Sequence, residues 1–175
     1  MSATLLLLLL AADAAPPAEA AAPARRALQP FKGALKAALT QALEVSPVAA
    51  IDVCAKQAPE LARTHSSGGV LVGRAAVKRR GPDGAGPAWV EAALVALARE
   101  PSGSEASRLV ALPGGRTGYA EAIWVQPMCL TCHGEVLAPE VKAALQARYP
   151  KDQAVGFRAG DFRGVFWAEL PSGGP

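Results

Sequence analysis

The hydrophobic pattern changes period along the chain. From Ala27 to Leu43 the apolar positions Phe31, Leu35, Leu39 and Leu43 fall four apart, which predicts a helix whose stripe drifts slowly around one face. Ser46-Pro47 reads as the N-cap and first residue of a second helix, with Ile51, Cys54, Ala55 and Ala58 at i, i+3, i+4 and i+7. That spacing places Cys54 in the middle of a buried face. Pro59 disturbs this helix and Ser66-Ser67-Gly68-Gly69 ends it. Val70 to Lys78 is small and apolar, a strand. Gly81 to Pro87 is a long turn, and Pro87 to Arg99 is helical, with Trp89, Ala93, Ala96 and Leu97 on one side. Arg108 to Leu112 and Thr117 to Val125 read as strands, the second by alternation. Pro139 to Tyr149 is a short helix. Asp161 to Leu170 closes the chain as a strand, with Phe162, Phe166 and Leu170 on one face and Val165 and Trp167 on the other. Helices first, then strands with helices between them, predict an α+β domain with an antiparallel sheet.

Composition narrows this picture. The 175 residues are 51% hydrophobic and 19% charged, which suits a globular chain and excludes a disordered or collagen-like one. Alanine supplies 39 residues and aromatics only 5%, so much of the apolar fraction buries little area per residue. Thr4 to Ala11 is an apolar run too short to span a bilayer. It is followed by small-residue cleavage sites at Ala12-Asp13-Ala14, Ala18-Glu19-Ala20 and Ala20-Ala21-Ala22, which reads as an export signal. Its n-region, Met1-Ser2-Ala3, lacks Lys and Arg. Residues 15–24 look like a Pro/Ala linker, giving a division into 1–24, signal and linker, and 25–175, one domain. Removing 1–24 takes away two acids and no base, so the net charge of +3 becomes +5. The basic residues are scattered, which argues against nucleic acid as a partner. No other run is long enough for a membrane helix once the signal is removed.

Metal and redox chemistry must draw on Cys54, Cys129, Cys132, His65 and His133. Cys129-Leu130-Thr131-Cys132-His133 is the attachment signature for one covalent haem c. Cysteines at i and i+3 present both sulfurs to the two vinyl groups on one porphyrin edge. The following histidine is then held under the iron as proximal ligand. Export agrees with this, because c-type haem is attached outside the cytoplasm. The competing readings are a structural zinc site made from Cys129, Cys132, His133 and Cys54, and a plain disulfide. On the distal side Met128 is tethered beside Cys129 and cannot cross the ring. It reads as a filler against the porphyrin. Cys54 and His65 remain as distal candidates: Cys54 is the odd cysteine of an exported protein, and His65 sits at a helix end beside Ser66 and Gly68.

The chain resembles a family of single-haem c-type proteins first known only as a domain of unknown function. Its members occur in cyanobacteria and proteobacteria, alone or as the sensor part of histidine kinases. The matching features run from about Val48 to Trp167. They are the helix with Cys54 and Pro59, Gly73-Arg74 leading to Lys78-Arg79-Arg80 and Pro82, and Trp89 before a helix. They continue with Cys129-Leu130-Thr131-Cys132-His133-Gly134, Tyr149-Pro150-x-Asp152-x-Ala154-x-Gly156-Phe157 and Gly160-Asp161-x-Arg163-Gly164. The resemblance implies a PAS-like α+β fold, with N-terminal helices packed on a covalent haem ligated by His133 and Cys54. Arg74 and Arg80 are candidates for pairing with the haem propionates, since guanidinium forks suit carboxylates. The chain departs from the family pattern at Arg80-Gly81-Pro82-Asp83-Gly84, where Arg-Asn-Pro-x-Asn is usual, and at Ala75-Ala76, where Thr-Ser is usual.

The expectation is a periplasmic single-haem c-type cytochrome that is not an enzyme. Thiolate ligation lowers the potential relative to His/Met, which suits a redox or small-ligand sensor with a separate redox or signalling protein as partner. The alternatives are a plain electron carrier, a peroxidase-like enzyme with an open iron, and a zinc domain.

Overall fold

The computed structural model describes residues 18–173. The export segment expected at the N-terminus lies, through residue 17, outside the described residues. Helix α1 (Ala18–Val45) starts well before the expected Ala27. Pro23 and Pro30 lie inside it, and a proline inside a helix costs about 3 kcal/mol or more. Burial offsets that cost: Ala21, Ala24, Leu28 and Phe31 are fully buried, at the i, i+3, i+7 and i+10 spacing of one face. Ala21 and Ala24, inside the stretch expected to be signal and linker, pack into the core.

Ser46 caps α2 (Pro47–Asp52) as expected, with extended φ/ψ and its Oγ accepting from Ala49 N at 3.0 Å. The same helical run then widens into a π turn, Val53–Gln57, and returns to α in α3 (Ala58–Thr64). Pro59 has no N–H and its ring would strike the carbonyl four residues back, so the wider turn just before it accommodates the ring. The extra residue rotates the face. Val53 and Ala58 are buried while Cys54 is only half-buried, so Cys54 is not in the middle of an apolar face as the spacing alone predicts.

Strands β1 (Leu71–Ala76), β2 (Ser107–Ala111), β3 (Thr117–Trp124) and β4 (Phe162–Leu170) form one antiparallel sheet in the order β1-β4-β3-β2. The architecture is α+β with N-terminal helices. One face packs on α1 and α3 through Val72, Tyr119, Ala168 and Leu170. The other packs on α4 (Val90–Leu97) through Ala75, Ala120 and Val165. Phe166 joins the first face and Phe162 the second, whereas strict alternation places them together. A register shift between Ile123 and Trp124, opposite Phe162, breaks the alternation. Two short helices, α5 (Leu130–His133) and α6 (Pro139–Arg148), lie between β3 and β4, and both contact α2. No described helix is long and apolar enough to cross a membrane.

Candidate functional site

A 3₁₀ turn, Pro127–Cys129, runs directly into α5, so Cys129, Cys132 and His133 sit on one and a half turns of tight helix. All three cysteines are free thiols and half-buried. Gly134 leaves the helix in extended geometry, and a Cβ there would lie 2.6 Å from the Leu130 carbonyl oxygen. Only glycine lets the chain turn away this close to α5.

The segment from Tyr149 to Phe157 supports the histidine. Phe157 N donates to His133 O at 2.9 Å and Gly156 N to Gly134 O at 3.0 Å, a short parallel bridge. The Phe157 ring stands edge-on to the imidazole, with centroids 6.2 Å apart. Asp152 Oδ1 accepts from Ala154 N at 2.7 Å, a tight turn that presents the Ala154 carbonyl to His133 Nδ1 at 2.6 Å. A carbonyl only accepts, so Nδ1 carries the proton and donates. Nε2 then keeps its lone pair, the tautomer an iron ligand needs. Burial drives the imidazole pKa down to about 3, with Arg80 and Arg163 adding to the effect, so the ring is neutral across the physiological range.

Arg80 is tied to the loop that carries the histidine. Its Nη2 donates to Cys132 O at 2.5 Å and to Ala154 O at 3.2 Å, and its Nε lies 3.1 Å from Asp152 Oδ2 as a charge contact rather than a directed hydrogen bond. Through Nη2 and Nε the guanidinium is engaged by the loop that carries the histidine. Arg74 lies on β1 opposite Phe166, on the sheet face shared with Val72, and its charge reaches His133, Arg163 and Tyr149. Arg163, to which the motif reading assigned no role, joins it. Burial, Arg74 and Arg80 together hold the Arg163 guanidinium down to about 10. Its Nη1 donates to Lys78 O at 3.1 Å, and its Cζ stands 5.2 Å from the Phe157 ring. The signal for it was present in Gly160-Asp161-x-Arg163-Gly164, a third arginine in a stretch singled out for its pattern.

Cys54 enters from the helical side. Burial pushes the Cys132 thiol up, Arg80 opposes this, and Cys54 and Cys129 reinforce it. Burial likewise raises the Tyr149 phenol, with Cys54 adding to it. Cys132 and Tyr149 pack against Ile51, Val141 and Leu145, and Cys54 lies three residues after Ile51 as the second residue of the π turn. His65 is not brought to this cluster. It caps the far end of α3, about 16 Å beyond Cys54 at 1.5 Å per residue of helix, and its N–H bonds to Leu61 O. Met128 is 42% exposed and does not fill the protein core. Among the described residues no three His, Cys, Asp or Glu side chains converge as a metal cluster, so the tetrahedral zinc arrangement finds no support there.

The donor set fits a c-type haem. Two thiols at i and i+3 would reach one porphyrin edge, an imidazole offers Nε2, a third thiol lies on the π turn, and Arg74, Arg80 and Arg163 gather with Asp152 as the carboxylate paired to Arg80. Comparison with known proteins points to haem. The family model Tll0287-like matches residues 14–171. Among solved structures, the chain is similar to the cyanobacterial heme-protein Tll0287, at 32% identity and a TM-score of 0.52, over 69% of this chain and 71% of that one. No curated protein matches.

Proposed function

The chain belongs to the Tll0287-like family, and on that premise we propose that it is an exported, single-haem c-type protein that senses redox state or a small iron ligand. The observation that carries this reading is the fixed tautomer of His133, whose Nδ1–H is committed to Ala154 O, leaving the Nε2 lone pair for a ligand, on a helix turn that also carries two free thiols. In this reading Cys129 and Cys132 form thioethers to the two vinyl groups, and His133 is the proximal ligand. Cys54 is the distal ligand, and Arg74 and Arg163 neutralise the propionates. The bound group supplies a one-electron Fe(III)/Fe(II) couple. The chain supplies a distal thiol on a π turn, an irregularity that helices carry frequently at functional sites, and that is the element on which switching rests.

A simple electron carrier is the second reading. Exposed apolar side chains near the cysteine motif favour it: Met128 at 42%, Val136 at 90% and Val155 at 37%. Such a rim suits brief contact with a partner protein.

The test is the visible spectrum of exported holoprotein, oxidised and reduced, wild type beside Cys54→Ser, with carbon monoxide added to the reduced forms. Thiolate features lost in Cys54→Ser, together with carbon monoxide binding to the reduced wild type, support sensing. A ligand set identical in both oxidation states and closed to carbon monoxide supports the carrier. A colourless chain overturns both.

A further inference from the structure

The structure assigns a second role to the pair Arg80 and Asp152. We propose that Arg80, held by Asp152, is a positioning residue that sets the reduction potential of the site through the Ala154 carbonyl; this rests on the haem reading above. Arg80 is almost fully buried at 8% side-chain exposure and Asp152 at 11%. Two donors share one acceptor: His133 Nδ1–H at 2.6 Å and Arg80 Nη2 at 3.2 Å both address Ala154 O. The same Nη2 stands 3.2 Å from His133 Nδ1 and donates to Cys132 O. Nδ1 already carries its proton, so the Arg80 contact with the ring is electrostatic and not a hydrogen bond. Asp152 holds both partners, turning the Ala154 amide with one carboxylate oxygen and pairing Arg80 with the other.

Two effects of Arg80 have the same sign. Donation to Ala154 O weakens that carbonyl as an acceptor from Nδ1–H, so the imidazole gains less anionic character and donates less to iron. A guanidinium beside the ring also disfavours the more positive oxidised state. Both raise the potential, and the carboxylate of Asp152 tempers the second. Tyr149 lies under the guanidinium, with Cζ 6.0 Å from the ring centroid, which leaves Arg80 little room to swing away.

The experiment is a spectroelectrochemical titration of purified holoprotein, the electrode supplying the electron in Fe(III) + e⁻ → Fe(II). Arg80→Gln should shift the one-electron equilibrium toward the oxidised form by about tenfold, equivalent to 59 mV. Asp152→Asn, nearly isosteric and leaving Arg80 unneutralised, should shift it several-fold toward the reduced form. Arg80→Lys keeps the charge and should fall between Arg80→Gln and wild type. A purely structural role would move both variants in one direction, along with their melting temperatures. Potentials unchanged in variants that carry covalent haem, or moved in the same direction, overturn the proposal. A wild-type chain whose mass shows no haem on Cys129 and Cys132 overturns the haem reading itself.

Discussion

At the scale of single residues, Gly164 shows how little freedom the sheet leaves beside the site. Its φ is +149°, in the region L side chains avoid, and a Cβ would lie 2.1 Å from the Ala75 carbonyl oxygen and 2.9 Å from Ala76 Cα. Neither obstacle is a flexible side chain; both are backbone of β1. Gly164→Ala must therefore part β1 from β4 next to Arg163 and Arg74. We expect a loss of about 3 kcal/mol or more in urea unfolding, against a change below about 1 kcal/mol for Gly33→Ala in the exposed middle of α1, where nothing lies within 4 Å. Equal effects would show that the strand approach is not constrained as described. Phe31 provides a second residue-scale measure. It is fully buried and meets Phe166 edge-on at 6.0 Å, so Phe31→Ala should cost about 3–5 kcal/mol in the same assay.

At the scale of elements, α1 is fastened to β3 by a polar network as well as by its apolar stripe. Arg25 Nε donates to Tyr119 Oη at 3.0 Å, Tyr119 donates to Glu121 Oε2 at 3.0 Å, and Lys32 pairs with the other oxygen of Glu121. Tyr119 is fully buried. Burial raises its phenol above the usual value, and Glu121 adds to this while Arg25 opposes it. The folded state therefore favours the neutral phenol. Its contribution is complete below the unfolded value near 10 and declines as pH rises toward the higher folded value. Wild type should lose stability from about pH 10 upward more steeply than Tyr119→Phe. The difference between the two proteins isolates Tyr119 from Tyr149 and Arg163, which titrate in the same range. Parallel curves would show that the hydroxyl is not held in its neutral form. The elements themselves were largely legible: four strands, the Ser46 cap and helices α4 and α6 follow from period and capping residues. The start of α1 was not, because residues 15–24 read as a Pro/Ala linker by composition, and only the tertiary burial of Ala21 and Ala24 brings that stretch into the helix. The π turn was not legible either, since an i, i+3, i+4, i+7 pattern assumes the regular helix that Pro59 distorts.

At the scale of the whole molecule, the site joins pieces far apart in sequence, which explains what could be read from it. Cys129, Cys132 and His133 are a local motif and stand out directly. The shell around them is held by backbone carbonyls from Ala154 and His133, which leave no mark on hydrophobic period. The contacts of Arg80 with the Ala154 loop were therefore not legible, and Arg163 was assigned no role. The assembled result is three guanidiniums, Arg74, Arg80 and Arg163, around one imidazole, with Asp152 as the carboxylate paired with Arg80. Their mutual repulsion is what holds Arg163 low, after burial. Without an anionic occupant this cluster opposes folding, and added salt weakens the repulsion, less between these part-buried groups than between exposed charges, as the Debye length falls from about 30 Å at 0.01 M to about 10 Å at 0.1 M. A chain unable to attach haem, Cys129→Ser with Cys132→Ser, should therefore gain melting temperature as sodium chloride rises over that range. In the holoprotein two propionates would do the neutralising, so its melting temperature should be higher and nearly flat against salt. Replacing Arg74 and Arg163 together by Gln in the haem-free chain should remove most of the salt effect, because Arg80 retains Asp152. A haem-free chain indifferent to salt would mean that the arginines are not repelling one another, and the propionate assignment would lose its physical basis.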